Sequence, residues 1–584
     1  MNTQRLFDIP LLQLEKYPKQ DAIGSKHDGA WKTYSTQELI ALSEQVALGL
    51  MALGIKPGDK VAIASGNRAE WCIVDRAILC MGAINVPLYP TASAEDYAYV
   101  LKHSGTKVCF SSNAEIHAKA VHAQSQSPAL QHLFTFDKLP GVRHWSEVRD
   151  SSKGQDKQVL KQYGDAVKRD DLATIIYTSG TTGKPKGVML SHGNILSNIE
   201  GSIERLPVDH EALCISFLPL SHIYERMLMY LYMYAGVSIR FQESMDNLGD
   251  AIREVQPHVF TAVPRVLEKV YDRIVGKGEE LSGIKRKLFF WALDLGHRYE
   301  VHGRSWWYNV QLAIARKLIF SKWQAALGGR VRVVASGSAA LQPRLARVFN
   351  AAGIPLMEGY GLTESSPVIS VNCEKNDGFR FGSTGRPLKN VQVRIAEDGE
   401  ILAKGPNIMM GYYLEPELTA AALDTDGWLH TGDIGVLDDG FLRITDRKKE
   451  MFKTSGGKYV APQVIENMLK ASRFIEQVMV IGENEKFPAA LIVPSFAFLK
   501  DYCELKGIPF TTPAEVIKDE RIAQRIMKSV EQVCTPLGHW EQVKKIALLP
   551  TEWSIDGGEM TPKLSLRRKQ IMAKYDAQVK GIYA

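Results

Sequence analysis

The chain has no Cys-x-x-Cys pair: its seven cysteines, Cys72, Cys80, Cys109, Cys214, Cys373, Cys503 and Cys534, are scattered and odd in number. That pattern excludes a disulfide-stapled scaffold and favours a reducing compartment. The histidines show no zinc-ligand spacing. No stretch reaches the roughly 20 apolar residues that span a bilayer, and the most apolar window, Met227 to Ile239, reads as a buried helix. Met1 to Gln20 lacks the basic, apolar and small-residue succession of a secretory signal. The expected location is the cytoplasm, with any membrane contact peripheral and on the inner face. Repeats and low-complexity tracts are missing. A net charge of +6 is too small for 584 residues to predict a nucleic-acid partner.

What is present is ordinary globular material, 45% hydrophobic and 23% charged, in a chain too long for one core. From Lys60 to Pro90, β-rich runs (Val61 to Ala64, Ile84 to Leu88) flank a helical stretch around Ala69 to Met81, which is α/β patterning. The alternation returns at Ala173 to Tyr177, Val331 to Ala335 and Ile354 to Met357, each run leading into a glycine-containing loop. In such folds chemistry sits in the loops at strand ends. A helix-rich, basic stretch from Val266 to Leu327 interrupts the rhythm, and short strands follow Gly382. The charged run Asp446 to Lys449 marks the expected boundary between a large α/β N-terminal domain, 1–445, and a small α+β domain, 446–584.

The strongest local signal is Tyr177 to His192, YTSGTTGKPKGVMLSH. A β-run there ends in Thr178, Ser179, Gly180, Thr181, Thr182 and Gly183, with Lys186 close behind. Glycines let backbone N–H groups approach an anion, hydroxyls donate hydrogen bonds and lysines add charge, so the loop suits phosphates. It is not a Walker A loop, because only two residues separate Gly180 from Gly183 and proline follows Lys184.

This segment, followed in order by GYGLTESSP (Gly359 to Pro367), DGWLHTGDIG (Asp426 to Gly435) and ITDRKKEMFKTSGGKYVAP (Ile444 to Pro462), resembles the adenylate-forming superfamily of acyl-CoA synthetases, luciferases and peptide-synthetase adenylation domains. The resemblance spans nearly the whole chain and implies ATP, magnesium and CoA. It implies that Gly359, Tyr360 and Gly361 form the segment that stacks on adenine. Thr363 would reach the α-phosphate, and Glu364, with Thr182, would hold magnesium. An aromatic face suits a base, and carboxylate oxygen suits a hard cation. Gly337 and Ser338, within Ser336 to Ala340, resemble the adenine-side segment. Asp433 would accept the ribose hydroxyls, Arg447 would lie beside the nucleotide, Lys449 would be the domain hinge, and the loop bearing Gly456 and Gly457 would line the pantetheine channel.

Within the superfamily, PLSHIYER (Pro219 to Arg226), VPLYPTAS (Val86 to Ser93) and DRKKEMFK resemble long-chain fatty acid:CoA ligases. His222 then either gates the acyl pocket or is a packed histidine with one satisfied nitrogen. The family's mobile lysine lies in a segment written TPKLSLRR here, where the ungapped position holds Ser565 and the nearest lysine is Lys563, two residues earlier. A neutral hydroxyl cannot stabilise developing negative charge as a cation does, so Lys563 is the expected catalytic lysine. The implied reaction is activation of a fatty acid to acyl-AMP and transfer to CoA. The alternatives are an acyl-AMP ligase loading a carrier protein and a nucleotide- or acyl-binding protein without ligase activity. The basic aromatic stretch containing Lys285, Arg286, Lys287, Phe289, Phe290, Trp291, Trp306 and Trp307 admits two readings: a membrane-facing surface, or packed aromatics beside solvated cations.

Overall fold

The structure, a computed structural model, describes residues 3–178, 184–555, 557–561 and 566–584, with the backbone only at Asn376. It divides into two compact units. The larger contains Met1–Arg394, Leu402–His430 and Asp439–Leu442; the smaller contains Ile395–Ile401, Thr431–Asp438 and Arg443–Ala584.

The expected α/β alternation is what the larger unit has. Strands Lys60–Ala64 and Ile84–Leu88 pair in parallel across the crossover helix Ala69–Cys80. They belong to a seven-stranded sheet that also contains Leu172–Thr178, Lys186–Ser191 and Gly411–Tyr412 on one side and Val108–Ser111 and His132–Thr135 on the other. Its central strands are mostly apolar and buried along nearly their whole length, as strands covered on both faces are. Helix starts follow local chemistry: Ser93 accepts the Asp96 N–H at 3.1 Å and Ser191 accepts the Asn194 N–H at 3.0 Å. A nine-stranded sheet runs from Arg386–Pro387 through Val368–Val371, Leu356–Gly361, Val333–Ser336, Val259–Ala262, Leu213–Ser216, Ser238–Phe241 and Ile23–His27 to Ala30–Tyr34.

One expectation is corrected in detail. The window Met227 to Ile239 is helical only to Tyr234, the end of the buried helix Ile223–Tyr234; the chain then turns and enters strand Ser238–Phe241. A buried helix and a buried strand both read as an apolar run, so periodicity does not separate them. Strand Phe441–Arg447 runs two residues into the charged run Asp446 to Lys449, and Asp446 is buried.

The basic stretch is helical, as Pro264–Glu279, Gly283–His297 and Trp306–Ala315, the last continuing through a π-turn Arg316–Phe320 into Ser321–Ala326. Phe289, Leu293, Leu312, Phe320 and Trp323 lie in the core beneath.

Strands Gln392–Ile395, Glu400–Lys404, Leu429–Asp438 and Phe441–Arg447 form a four-stranded sheet. The smaller unit is built on the three-stranded sheet Ile475–Ile481, Ala489–Pro494 and Lys545–Leu548. Alternate residues serve opposite faces: Val478, Val480, Ala490 and Ile492 join one apolar cluster, Met479, Ile481, Leu491 and Val493 the other.

Candidate functional site

Strands Leu172–Thr178 and Lys186–Ser191 form an antiparallel pair in which Thr178 faces Lys186. Residues 179–185 therefore join the two strands, and Thr178 and Lys186 stand at the base of the glycine-rich connection. Ser179, Gly180, Thr181, Thr182 and Gly183 lie outside the described residues. Beneath the hairpin, Tyr177 is buried and its hydroxyl is 2.8 Å from Nδ1 of His103.

Glu364 reaches the same place by another route. Thr363–Ser365 is a short 3₁₀ turn, closed by the Leu362 N–H donating to Ser365 Oγ at 2.9 Å. Gly361 is required before it: a Cβ there would lie 1.7 Å from the carbonyl oxygen of Pro367. The turn is fixed from outside by Asn407, whose amide donates to the Ser365 carbonyl at 2.9 Å, and by the Met409 N–H donating to the Glu364 carbonyl at 2.9 Å. The chain then enters Gly411–Tyr412, which pairs with Lys186–Ser191. Tyr412 donates its hydroxyl hydrogen to Glu364 Oε1 at 2.9 Å, and Lys186 Nζ lies 5.0 Å from the centre of the same ring. Burial, then the Glu364 charge, hold the Tyr412 phenol far above its ordinary range, so it stays a donor. Thr178, Lys186, Thr363 and Glu364 are thus brought to one site by Tyr412, which the sequence reading did not single out.

The larger unit also carries the segments of His222, Gly337 and Ser338, and Gly359 to Gly361. His222 caps helix Ile223–Tyr234, its Nδ1 accepting the Tyr224 N–H at 3.0 Å, and its ring meets Tyr89 edge-on at 6.4 Å. A backbone-bonded Nδ1 places the proton of the neutral ring on Nε2. Gly337 lies against Tyr224: a Cβ there would be 3.0 Å from the ring. Ser338, next to it, has a left-handed backbone with φ 69°. Gly359 and Tyr360 pair with Val371 and Ser370 in the antiparallel strand that follows. One residue earlier, buried Glu358 accepts the Leu341 N–H at 3.0 Å, tying Ser336 to Leu341 to the strand of Tyr360. Burial pushes the Glu358 carboxyl up to about 8. Glu358 was also missed; a lone Glu before Gly-Tyr-Gly carries no signal of burial.

In the smaller unit, Asp433 is buried at 3.6 Å from Arg447, which also lies 3.6 Å from Glu450. Lys448 is held by Asp398 at 2.6 Å and Glu400 at 2.8 Å. Lys449, in the turn after the strand, is exposed and has no ion pair among the described residues. Burial pushes Asp446 up to about 7, although the Arg447 N–H donates to it at 2.5 Å. Gly456 and Gly457 sit in an exposed turn closed by the Thr454 N–H donating to the Lys458 carbonyl at 3.0 Å. Lys563 and Ser565 lie outside the described residues; on either side, Met560 and Leu566 are bridged, and Arg568 binds Glu450 at 3.0 Å and also Glu466.

Among the described residues no cluster of three or more His, Cys, Asp or Glu could hold a metal. A single carboxylate, Glu364, beside a lysine is nevertheless a donor set that suits magnesium, which takes one or two carboxylates and completes its shell with substrate phosphates and water.

Residues 12–413 match the family model described as AMP-binding enzyme, and residues 450–584 match the AMP-binding enzyme C-terminal domain. The chain is 34% identical over 570 residues to the long-chain-fatty-acid–CoA ligase FadD15 of Mycobacterium tuberculosis, covering 95% of this chain and 93% of that protein. It is 31% identical over 593 residues to the human long-chain-fatty-acid–CoA ligase 1, covering 96% and 83%. In fold it is similar to the adenylation domain of a carboxylate reductase from Mycobacterium chelonae, with a TM-score of 0.77 at 22% identity, covering 100% of this chain and 92% of that one.

Proposed function

The chain belongs to the AMP-binding enzyme family, and on that premise we propose that it is an AMP-forming ligase that joins a long-chain fatty acid to CoA at the expense of ATP. The observation that carries the proposal is the convergence of Lys186, Tyr412 and Glu364 at the base of the glycine-rich hairpin. In the first step a carboxylate oxygen of the fatty acid attacks the α-phosphorus of ATP and pyrophosphate leaves. In the second the CoA sulfur attacks the acyl carbonyl carbon and AMP leaves. Neither step needs a protein nucleophile, and all seven cysteines are free and buried.

In this reading Lys186 and the hairpin steady the phosphates by position and charge. Glu364 and Thr182 would hold magnesium, which supplies positive charge against the phosphate oxygens during displacement. Tyr412 fixes the Glu364 carboxylate, Thr363 contacts the α-phosphate, and Tyr360, Gly359, Gly361, Gly337 and Ser338 receive the adenine. His222, held by its cap bond, borders the acyl site. In the smaller unit Asp433 takes the ribose hydroxyls with Arg447 beside it, Lys563 supplies the mobile cation, and the Gly456–Gly457 turn serves CoA. The exposed turn at Lys449 supports a hinge there, between domains 1–445 and 446–584. A cytoplasmic location is the corresponding proposal for the compartment. CoA-dependent formation of acyl-CoA from a palmitate-type acid tests the proposal; formation of acyl-AMP that CoA does not consume would favour a carrier protein as acceptor.

A further inference from the structure

The two readings of the basic aromatic stretch separate by residue. The aromatic side chains of helix Gly283–His297 pack inward, with Phe289 buried and Phe290 and Trp291 half-buried. The helix beginning at Trp306 does otherwise. Its inner side gives Leu312, Ala315, Phe320 and Trp323 to the core, yet Trp306 is 76% exposed, Trp307 61%, and Ile314 and Leu318 47% each. A helix apolar on its outer side as well as its inner one has a second face left exposed among the described residues. Trp307, Ile314 and Leu318 follow one another at spacings of seven and four residues, so they form a ridge rather than isolated side chains. The ridge is rigidly presented. Ser305 caps the helix, accepting the Tyr308 N–H at 3.2 Å, and the Tyr308 hydroxyl donates to the Leu295 carbonyl at 2.7 Å.

Charge decides what the ridge suits. Between residues 283 and 326 eight lysines and arginines stand against two acids, Asp294 and Glu300, so this stretch alone matches the +6 of the whole chain. Both acids are already paired, with Arg298 and Arg347. Lys285, Lys287, Lys317 and Lys322 are exposed and have no acidic partner among the described residues. Indoles beside free ammonium groups match the headgroup region of a bilayer, where the ring is half desolvated and the cation meets lipid phosphate. No helix among the described residues is long and apolar enough to cross a membrane, so contact would be at the surface.

We propose that the Trp306–Leu318 ridge and its flanking lysines dock this protein on an anionic lipid bilayer. The bilayer as source of the acyl substrate rests on the function proposed above; the docking itself does not. The test is flotation of the full chain with phosphatidylcholine vesicles, with and without phosphatidylglycerol. Wild type is expected to float with the anionic vesicles and to be released by high salt. The double variant Trp306→Ser/Trp307→Ser should partition at least about tenfold less, and Lys317→Glu/Lys322→Glu should lose the preference for phosphatidylglycerol. Both should keep the wild-type melting temperature and the wild-type turnover of a detergent-dispersed acid. Failure of wild type to float, or flotation indifferent to both variants, overturns the proposal. So does concentration-dependent dimerisation lost in the tryptophan variant, which would give the ridge to a second copy. Flotation without any acyl-CoA formation would leave the docking intact and overturn the functional reading alone.

Discussion

The hydroxyl of Tyr412 donates to the carboxylate of Glu364 at 2.9 Å while Lys186 lies over the same ring. One aromatic side chain thereby links the glycine-rich hairpin to the Thr363–Ser365 turn. Tyr412→Phe keeps the ring under Lys186 and removes only the bond to the carboxylate. A hydrogen bond to a charged group contributes about 1.5–3 kcal/mol. We expect adenylation to slow by roughly tenfold or more, with a higher magnesium requirement and little change in melting temperature. Pyrophosphate release titrated with magnesium reads both effects; an unchanged magnesium dependence contradicts the role given to Tyr412.

Lys563 and Ser565 make opposite predictions. With Lys563 as the cation of the adenylation step, Lys563→Ala lowers adenylation by about 10²–10³, in line with removal of one transition-state donor, and Ser565→Ala has an effect below about tenfold. CoA transfer from preformed acyl-AMP should survive Lys563→Ala. Single-turnover assays of the two half-reactions separate these outcomes.

Arg226 is wholly buried and pairs with Asp75 at 2.6 Å, donates to Thr174 Oγ1 at 2.8 Å, and shares Asp75 with Tyr230 and Asn85. Thr174 lies on the strand leading into the hairpin, so this pair braces the helix of His222 against it. Removing one partner leaves the other charge buried and unpaired, at a cost of about 3–5 kcal/mol. Arg226→Met should therefore lower the melting temperature sharply, and adding Asp75→Asn should restore part of the loss.

His192 is buried, its Nδ1 accepting the Leu6 N–H at 3.3 Å, and burial pushes its pKa down from 6.5 to about 3. In the unfolded chain this histidine takes up a proton near its ordinary value; in the fold it does not. Its contribution is therefore fully present above about pH 6.5 and is lost as pH falls from there towards 3. The slope from this group approaches ~1.4 kcal/mol per pH unit. Denaturation midpoints across that range should fall more steeply in wild type than in His192→Gln.

The sequence made the α/β plan and the main motifs legible because both are local. A β-run ending in glycines and hydroxyls, or an aromatic followed by Thr-Glu, can be read within a few residues. What escaped is non-local. Tyr412 is 48 residues from Glu364 and meets it only because Gly411–Tyr412 joins the sheet beside Lys186–Ser191. Glu358 looks like any exposed glutamate until the Leu341 N–H is placed on it. Asp446 opens a charged run, and only the continuation of the strand to Arg447 shows that it is buried. The ambiguity over the basic aromatics has a local cause: helical patterning alone does not tell which of several apolar side chains on a helix meet the core.

The decisive measurement is pyrophosphate release from ATP with a palmitate-type fatty acid, with and without CoA and with magnesium present or chelated, in wild type and in Glu364→Gln. An AMP-forming ligase with Glu364 at its metal site gives magnesium-dependent release matched mole for mole by acyl-CoA when CoA is present, and a loss of about 10² or more in the variant. No release from wild type with acids of several chain lengths, or release that Glu364→Gln leaves unchanged, would contradict that assignment.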